Sequence, residues 1–148
     1  MKKKKGGFTL IETIVSISIV VFIFTSAASL AILNKNIEKE IKYDSDIYEI
    51  QNLLTLGKAK CRKENIEGEV SIDAINNEMY LYSYGRDSNS LFRKIELSDD
   101  SSYAGKGWNI HLDDRGRFLS GKTIFIRNSD EIKDITIGVG VDTIRIKD

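Results

Sequence analysis

Proline is missing altogether from these 148 residues. A chain without it lacks the commonest cause of a helix kink, so any long helical stretch is free to run unbroken. Cysteine occurs once, as Cys61, which rules out a disulfide within the chain; the fold must be held by its own core or by a partner. Histidine also occurs once, as His111, too few for a multi-histidine metal centre. No motif around either residue supports pairing them for nucleophilic chemistry. His111 reads as structural, and Cys61 as a small apolar packing residue near a helix end. No nucleophile elbow or phosphate-binding glycine loop is present. Gly121-Lys122-Thr123 lacks the earlier glycine of such a loop and precedes a strand-like run rather than a helix.

Charge is scarce in one long region. Residues 8–33 contain a single formal charge, Glu12, whereas charged residues recur every few positions afterwards. This run of 26 residues exceeds the roughly 20 needed to span a bilayer. The lysines before it, Lys2, Lys3, Lys4 and Lys5, favour a cytoplasmic N-terminus, with the C-terminal part outside. The whole chain balances 22 basic against 22 acidic side chains. Without residues 1–7 the count is 18 against 22, a net charge of −4. That sign opposes the basic footprint of nucleic-acid-binding proteins, so direct nucleic-acid binding is not expected.

Two ordinary readings fit such an N-terminus. One is a cleaved secretory signal, with Ser26, Ala27 and Ala28 as small residues for the cut. The other is a plain anchor carrying an extracellular binding domain. The apolar run is longer than the roughly 7–15 residues usual for the centre of a signal peptide. Neither reading accounts for Glu12, since an acidic residue at a membrane centre costs about 2.5–3.5 kcal/mol and less near an end.

The stretch Lys2-Lys3-Lys4-Lys5-Gly6-Gly7-Phe8-Thr9-Leu10-Ile11-Glu12 resembles the leader and cleavage site of type IV prepilins and pseudopilins. The resemblance implies that residues 1–7 are a basic leader ending at Gly7. A prepilin peptidase would cut before Phe8 and N-methylate it, and Glu12 would be the family's acidic residue. It further implies a non-enzymatic minor subunit of a pilus-like filament serving motility, adhesion, secretion or DNA uptake, with no cofactor. Its partners would be other pilin or pseudopilin subunits, the peptidase, the membrane platform and assembly ATPase, and the lipid bilayer before assembly. The chain would cross the cytoplasmic membrane once with its C-terminal domain outside, then enter a surface filament.

Elementary electrostatics gives Glu12 a reason to exist in that setting. A cut after Gly7 would create an ammonium on Phe8, four residues away and on the same helix face. The carboxylate also lies in the first turn, where the helix dipole favours negative charge. Unit charges about 4 Å apart attract by about 4 kcal/mol at an effective dielectric near 20, comparable with the cost of placing a carboxylate in lipid. In a filament, pairing with a neighbouring subunit's amine would select one axial register.

Residues 34–62 keep a helical period with more polar content. Ile37 and Ile41 lie four apart, Tyr43, Ile47, Ile50 and Leu54 continue the face, and Glu38 with Lys42 is a supporting pair. An amphipathic helix packed on its own domain follows, continuous with the apolar segment; Gly57 is where it would end or loosen. Thr25, Ser26 and Ser29 can bond back to the preceding turn without forcing a break. Some filament-forming relatives carry a proline in this half; here there is none.

Beyond Gly68 the pattern changes to short strands at 69–73, 79–84, 91–97, 108–112, 122–128, 134–139 and 142–147, separated by turn-rich pieces. One helix followed by seven strands predicts an α+β fold: a long N-terminal helix, membrane-spanning then amphipathic, packed on a C-terminal antiparallel β-sheet domain. The expected divisions are leader 1–7, apolar helix 8–33, amphipathic helix 34–62 and β-rich head 63–148. A C-terminal hairpin is expected over 135–146. The run containing Gly121, Thr123 and Ile124, with Gly138, Gly140 and Arg145 matching more loosely, is similar to the C-terminal pattern of minor pseudopilins of type II secretion and Gram-positive competence.

Two further groups have oxygen or aromatic chemistry. Asp99, Asp100, Asp113 and Asp114 offer the oxygens a calcium ion wants, but no ligand set aligns and they read as turn-capping residues. Tyr80, Tyr82 and Tyr84 alternate and so share one strand face. That face suits stacking of single-stranded nucleic acid, but core or cross-strand packing is the expected use.

Overall fold

A computed structural model describes residues 9–85, 89–129, 131–139 and 144–147. One helix, α1 (Leu10–Glu64), precedes eight strands: β1 (Glu67–Asp73), β2 (Glu78–Tyr84), β3 (Asn89–Glu96), β4 (Ser102–Tyr103), β5 (Trp108–Leu112), β6 (Lys122–Arg127), β7 (Ile132–Ile137) and β8 (Ile144–Lys147). The chain divides into two compact units, Met1–Lys39 and Glu40–Asp148.

In the first unit, α1 is exposed on all sides from Leu10 to Leu33. Its hydroxyls are internally satisfied. Thr13, Ser16, Ser18, Thr25, Ser26 and Ser29 each donate to the carbonyl four residues earlier, at 2.7–3.2 Å. Side-chain donors that bond back in this way leave an apolar surface free of unsatisfied hydroxyls, as a lipid-facing helix requires.

The second unit has the α+β architecture expected, with two sheets where one was anticipated. Four strands form one sheet in the order β3-β2-β1-β5, and four form the other in the order β4-β6-β7-β8; every pairing is antiparallel. The chain passes between the sheets at β3–β4, β4–β5 and β5–β6. The short strand β4 lies within what the sequence marks as a turn. The C-terminal hairpin is present as β7 and β8, with Ile137 opposite Ile144 and Asp134 opposite Lys147.

Strand alternation puts Val70, Ile72, Met79, Leu81, Ile110 and Leu112 on the inner face of the first sheet and Ile124, Ile126, Ile135 and Ile137 on that of the second. The helix joins this core through Tyr43, Ile47, Ile50, Leu53, Leu54 and Cys61, all buried. Fully burying one such side chain is worth about 1.5–3 kcal/mol. The apolar face that packs on the head therefore begins at Tyr43. Ile37 and Ile41, which the sequence places on the same face, are 45% and 63% exposed.

Two hydrogen-bonded anchors fix the helix in place. Tyr43 Oη donates to the Ile126 carbonyl at 2.8 Å and accepts the Lys133 N–H at 3.0 Å. Asp46 accepts the Ser98 hydroxyl at 2.7 Å and the Ser98 N–H at 3.2 Å. Gly57 does not end the helix. A Cβ there would lie 3.0 Å from Leu81 Cδ1, so glycine serves close helix–sheet approach rather than termination.

Candidate processing and assembly site

The first turn of α1 supplies the chemically distinctive geometry. Thr9 is the N-cap: its carbonyl accepts the first helical N–H, from Thr13, at 3.2 Å. The Glu12 Oε2 atom accepts both the Thr9 N–H at 2.8 Å and the Thr9 hydroxyl at 3.0 Å. In return the Glu12 N–H donates to Thr9 Oγ1 at 3.3 Å. This reciprocal exchange is a capping box, which satisfies helix-end donors that otherwise have no partner. Sequence reasoning singled out Glu12 and missed Thr9, although Thr9-x-x-Glu12 has the spacing that announces such a box.

Gly7 and Phe8, the expected cleavage pair, and the leader residues Lys2, Lys3, Lys4, Lys5 and Gly6 lie outside the described residues. Just beyond them, Leu10, Ile11, Phe22 and Phe24 are each more than 70% exposed. Leu10–Glu64 is long and apolar enough to cross a membrane.

The other candidate residues fall apart as chemistry. Cys61 is buried in the core, and burial first, then the charge of Asp113, pushes its thiol up, away from nucleophilic thiolate. His111 stands on the outer face of β5, with Nδ1 3.4 Å from Glu69 Oε2. Asp113 spends its carboxylate on its own turn. Oδ1 takes the N–H groups of Arg115 and Arg117 at 3.0 and 2.7 Å, and Oδ2 pairs with the Arg117 guanidinium at 2.6 Å. Among the described residues, no cluster of three or more metal-ligating side chains includes Asp99, Asp100, Asp113 or Asp114. Gly121 precedes β6, while Thr123 and Arg145 both lie opposite Thr136. Gly138 follows β7; Gly140 lies outside the described residues.

Tyr80, Tyr82 and Tyr84 are half-buried on the outer face of β2, while Met79, Leu81 and Ser83 occupy the core side. Their use is cross-strand: Tyr82 faces Glu69, Tyr80 faces Ser71 and Lys94, and the Tyr84 hydroxyl bonds Glu69.

Comparison with known proteins accords with this geometry. Residues 2–28 match the prokaryotic N-terminal methylation motif. No curated protein sequence matches the chain. Among solved structures, the minor pseudopilin EpsH from the Type 2 Secretion System of Vibrio cholerae is similar, with a TM-score of 0.55 at 16% identity. The match covers 70% of this chain and 93% of that one; at such low identity it speaks for the fold. The chain thus carries a prokaryotic N-terminal methylation motif at its start, and its fold is similar to that of a minor pseudopilin.

Proposed function

We propose that this chain is a minor structural subunit of a type IV pilus-like filament, cut between Gly7 and Phe8, N-methylated on Phe8, and assembled through its N-terminal helix. The observation that carries the reading is an apolar helical segment, exposed from Leu10 to Leu33, that nevertheless retains a carboxylate in its first turn. A lipid anchor gains nothing from that charge. A subunit that must choose one register among neighbouring helices does, because an unpaired carboxylate in an apolar bundle is costly.

In this reading, residues 1–7 are the leader, 8–33 the membrane and filament-core helix, 34–62 its amphipathic continuation and 63–148 the head. The uncut chain spans the cytoplasmic membrane once with the head outside, and the assembled form stands in a filament at the cell surface. Its partners are other subunits of the same class, the prepilin peptidase, and the platform and ATPase that drive extraction. The subunit's role is mechanical, in a machine for motility, adhesion, secretion or DNA uptake.

The mass of the N-terminal peptide from protein recovered from its native membrane tests the processing. A chain beginning at N-methylated Phe8 supports it; one beginning near Ala28, or an intact Met1, overturns it. Glu12→Ala tests assembly. The variant should insert and be cut yet fail to enter filaments, whereas a plain anchor would be indifferent to the change.

A further inference from the structure

We propose that Thr9 holds the Glu12 carboxylate in the uncut chain, so that the charge enters the membrane already hydrogen-bonded, and that cleavage hands it to the new amine. This inference rests on the membrane-inserted reading above and adds a stage to it.

The difficulty it resolves is one of order. Before cleavage the Phe8 nitrogen is a peptide N–H and carries no charge, so the ion pair that would neutralise Glu12 does not yet exist. Insertion nevertheless precedes the cut in this reading. The carboxylate needs donors at that moment, since an unsatisfied charged group in lipid is costly.

The donors come from Thr9. Its N–H and its hydroxyl both reach Oε2, at 2.8 and 3.0 Å, and its hydroxyl oxygen takes the Glu12 N–H in exchange. The nearby hydroxyls are engaged elsewhere. Thr13 Oγ1 donates to the Thr9 carbonyl at 3.2 Å, and Ser16 Oγ donates to the Glu12 carbonyl at 2.7 Å. Neither bond leads to the carboxylate. Thr9 thus acts through Glu12 and is a positioning residue.

Cleavage changes the competition. The new ammonium on Phe8 lies one residue before Thr9 and four before Glu12, and a charged donor binds a carboxylate about twice as strongly as a neutral one. Glu12 then leaves the Thr9 hydroxyl for its own amine or a neighbour's. Until that point the box withholds it from other subunits, so the uncut chain lacks the contact that sets register.

The test uses the full uncut chain, made without peptidase and presented to vesicles of phosphatidylethanolamine and phosphatidylglycerol. Insertion is read as the ratio of carbonate-resistant to extractable protein. Thr9→Val, which keeps the shape and loses the hydroxyl, should lower that ratio about tenfold, the scale of a hydrogen bond to a charged group. Thr9→Ser should restore it. In a Glu12→Gln background the valine should have little effect. In bicelles, the Glu12 amide should exchange about tenfold faster in Thr9→Val and return to the slow rate in Thr9→Ser.

Equal insertion of Thr9→Val and the unaltered chain would overturn the proposal. So would a valine effect of the same size with and without Glu12. If neither the unaltered chain nor Glu12→Gln inserts, the membrane reading fails and this inference falls with it. If Glu12→Gln inserts and Thr9 makes no difference, only this inference falls.

Discussion

Helix α1 contains two stretches of opposite fate, one apolar almost throughout and one interleaved with polar residues. Around Phe22 the side chains are exposed, Phe22 itself at 71%; around Tyr43, Ile50 and Leu54 they are wholly buried. Helical periodicity is common to both, so period alone does not decide burial. What differs is arrangement around the axis. Residues 10–33 are apolar on every side, so no single protein face could cover them. From Tyr43 to Cys61 the buried apolar residues recur on one side, with Tyr48 exposed on another, and join a core shared with both sheets. A helix that is hydrophobic all round calls for a surrounding apolar medium, lipid or a bundle of other helices.

The largest effect that tests this contrast is Tyr43→Ala. It leaves a cavity and strands the Ile126 carbonyl and Lys133 N–H that the phenol now satisfies. Unfolding of the head, followed by denaturant titration of the full chain in detergent, should show a loss of about 3–5 kcal/mol. Phe22→Ala in the same assay should leave head stability within about 0.5 kcal/mol, because its ring is exposed. Equal losses would erase the distinction between the two stretches.

A smaller effect is expected where the 113–117 turn rests on the helix. Gly116 has φ of 71°, and a Cβ there would come within 2.3 Å of the Lys58 carbonyl oxygen. Gly116→Ala should cost about 2–4 kcal/mol through left-handed strain and backbone collision. At Gly57 two effects oppose one another. Alanine gains about 1 kcal/mol in helix propensity but presses on Leu81 Cδ1 at 3.0 Å. Crowding wins in a close-packed core, so Gly57→Ala should destabilise by about 1 kcal/mol. Pairing it with Leu81→Ala should reverse the sign of the glycine substitution, which a double-mutant cycle reads directly.

Much of this was legible in the residues. A carboxylate inside an apolar run stands out by composition alone, and the alternation of β1, β2, β5 and β6 marks where each strand runs to within two residues. The division into two sheets was not legible, because local alternation records which side of a strand is buried and says nothing about which neighbour it pairs with. β4 escaped for a similar reason: Ser102 and Tyr103 are too few to show a period, and their strand character comes from pairing with Arg127 and Ile126. The Thr9 contribution is not evident while the expected partner of Glu12 is the amine that the proposed cleavage would create. At Ile37 and Ile41 the period continues although both side chains are exposed, since a period alone does not record burial.

Strand β2 repeats the contrast on a smaller scale, with Met79, Leu81 and Ser83 inward and three tyrosines outward. Aromatic bulk alone would favour the reverse. The hydroxyls decide it, because a buried phenol needs a partner, and the outer face provides Glu78 for Tyr80 and Glu69 for Tyr84. The smallest predicted effect follows from that choice. Partial burial, then the hydrogen bond to Glu69 and its negative charge, pushes the Tyr84 phenol up to about 12, against about 10 for a free tyrosine. A group whose value is raised on folding contributes stability that is intact below the unfolded value and fades as pH climbs through the folded one. The fold should therefore hold its Tyr84-dependent stability up to about pH 10 and lose it progressively towards pH 12. Tyr84→Phe should flatten that alkaline decline. In native Tyr84→Phe the phenolate absorbance should lose one tyrosine from the titration near pH 12, with the change near pH 10 unaltered. If Tyr84 instead ionises with the free residue, the outer face is solvated at Glu69, and the hydroxyls did not determine which side of β2 faces the core.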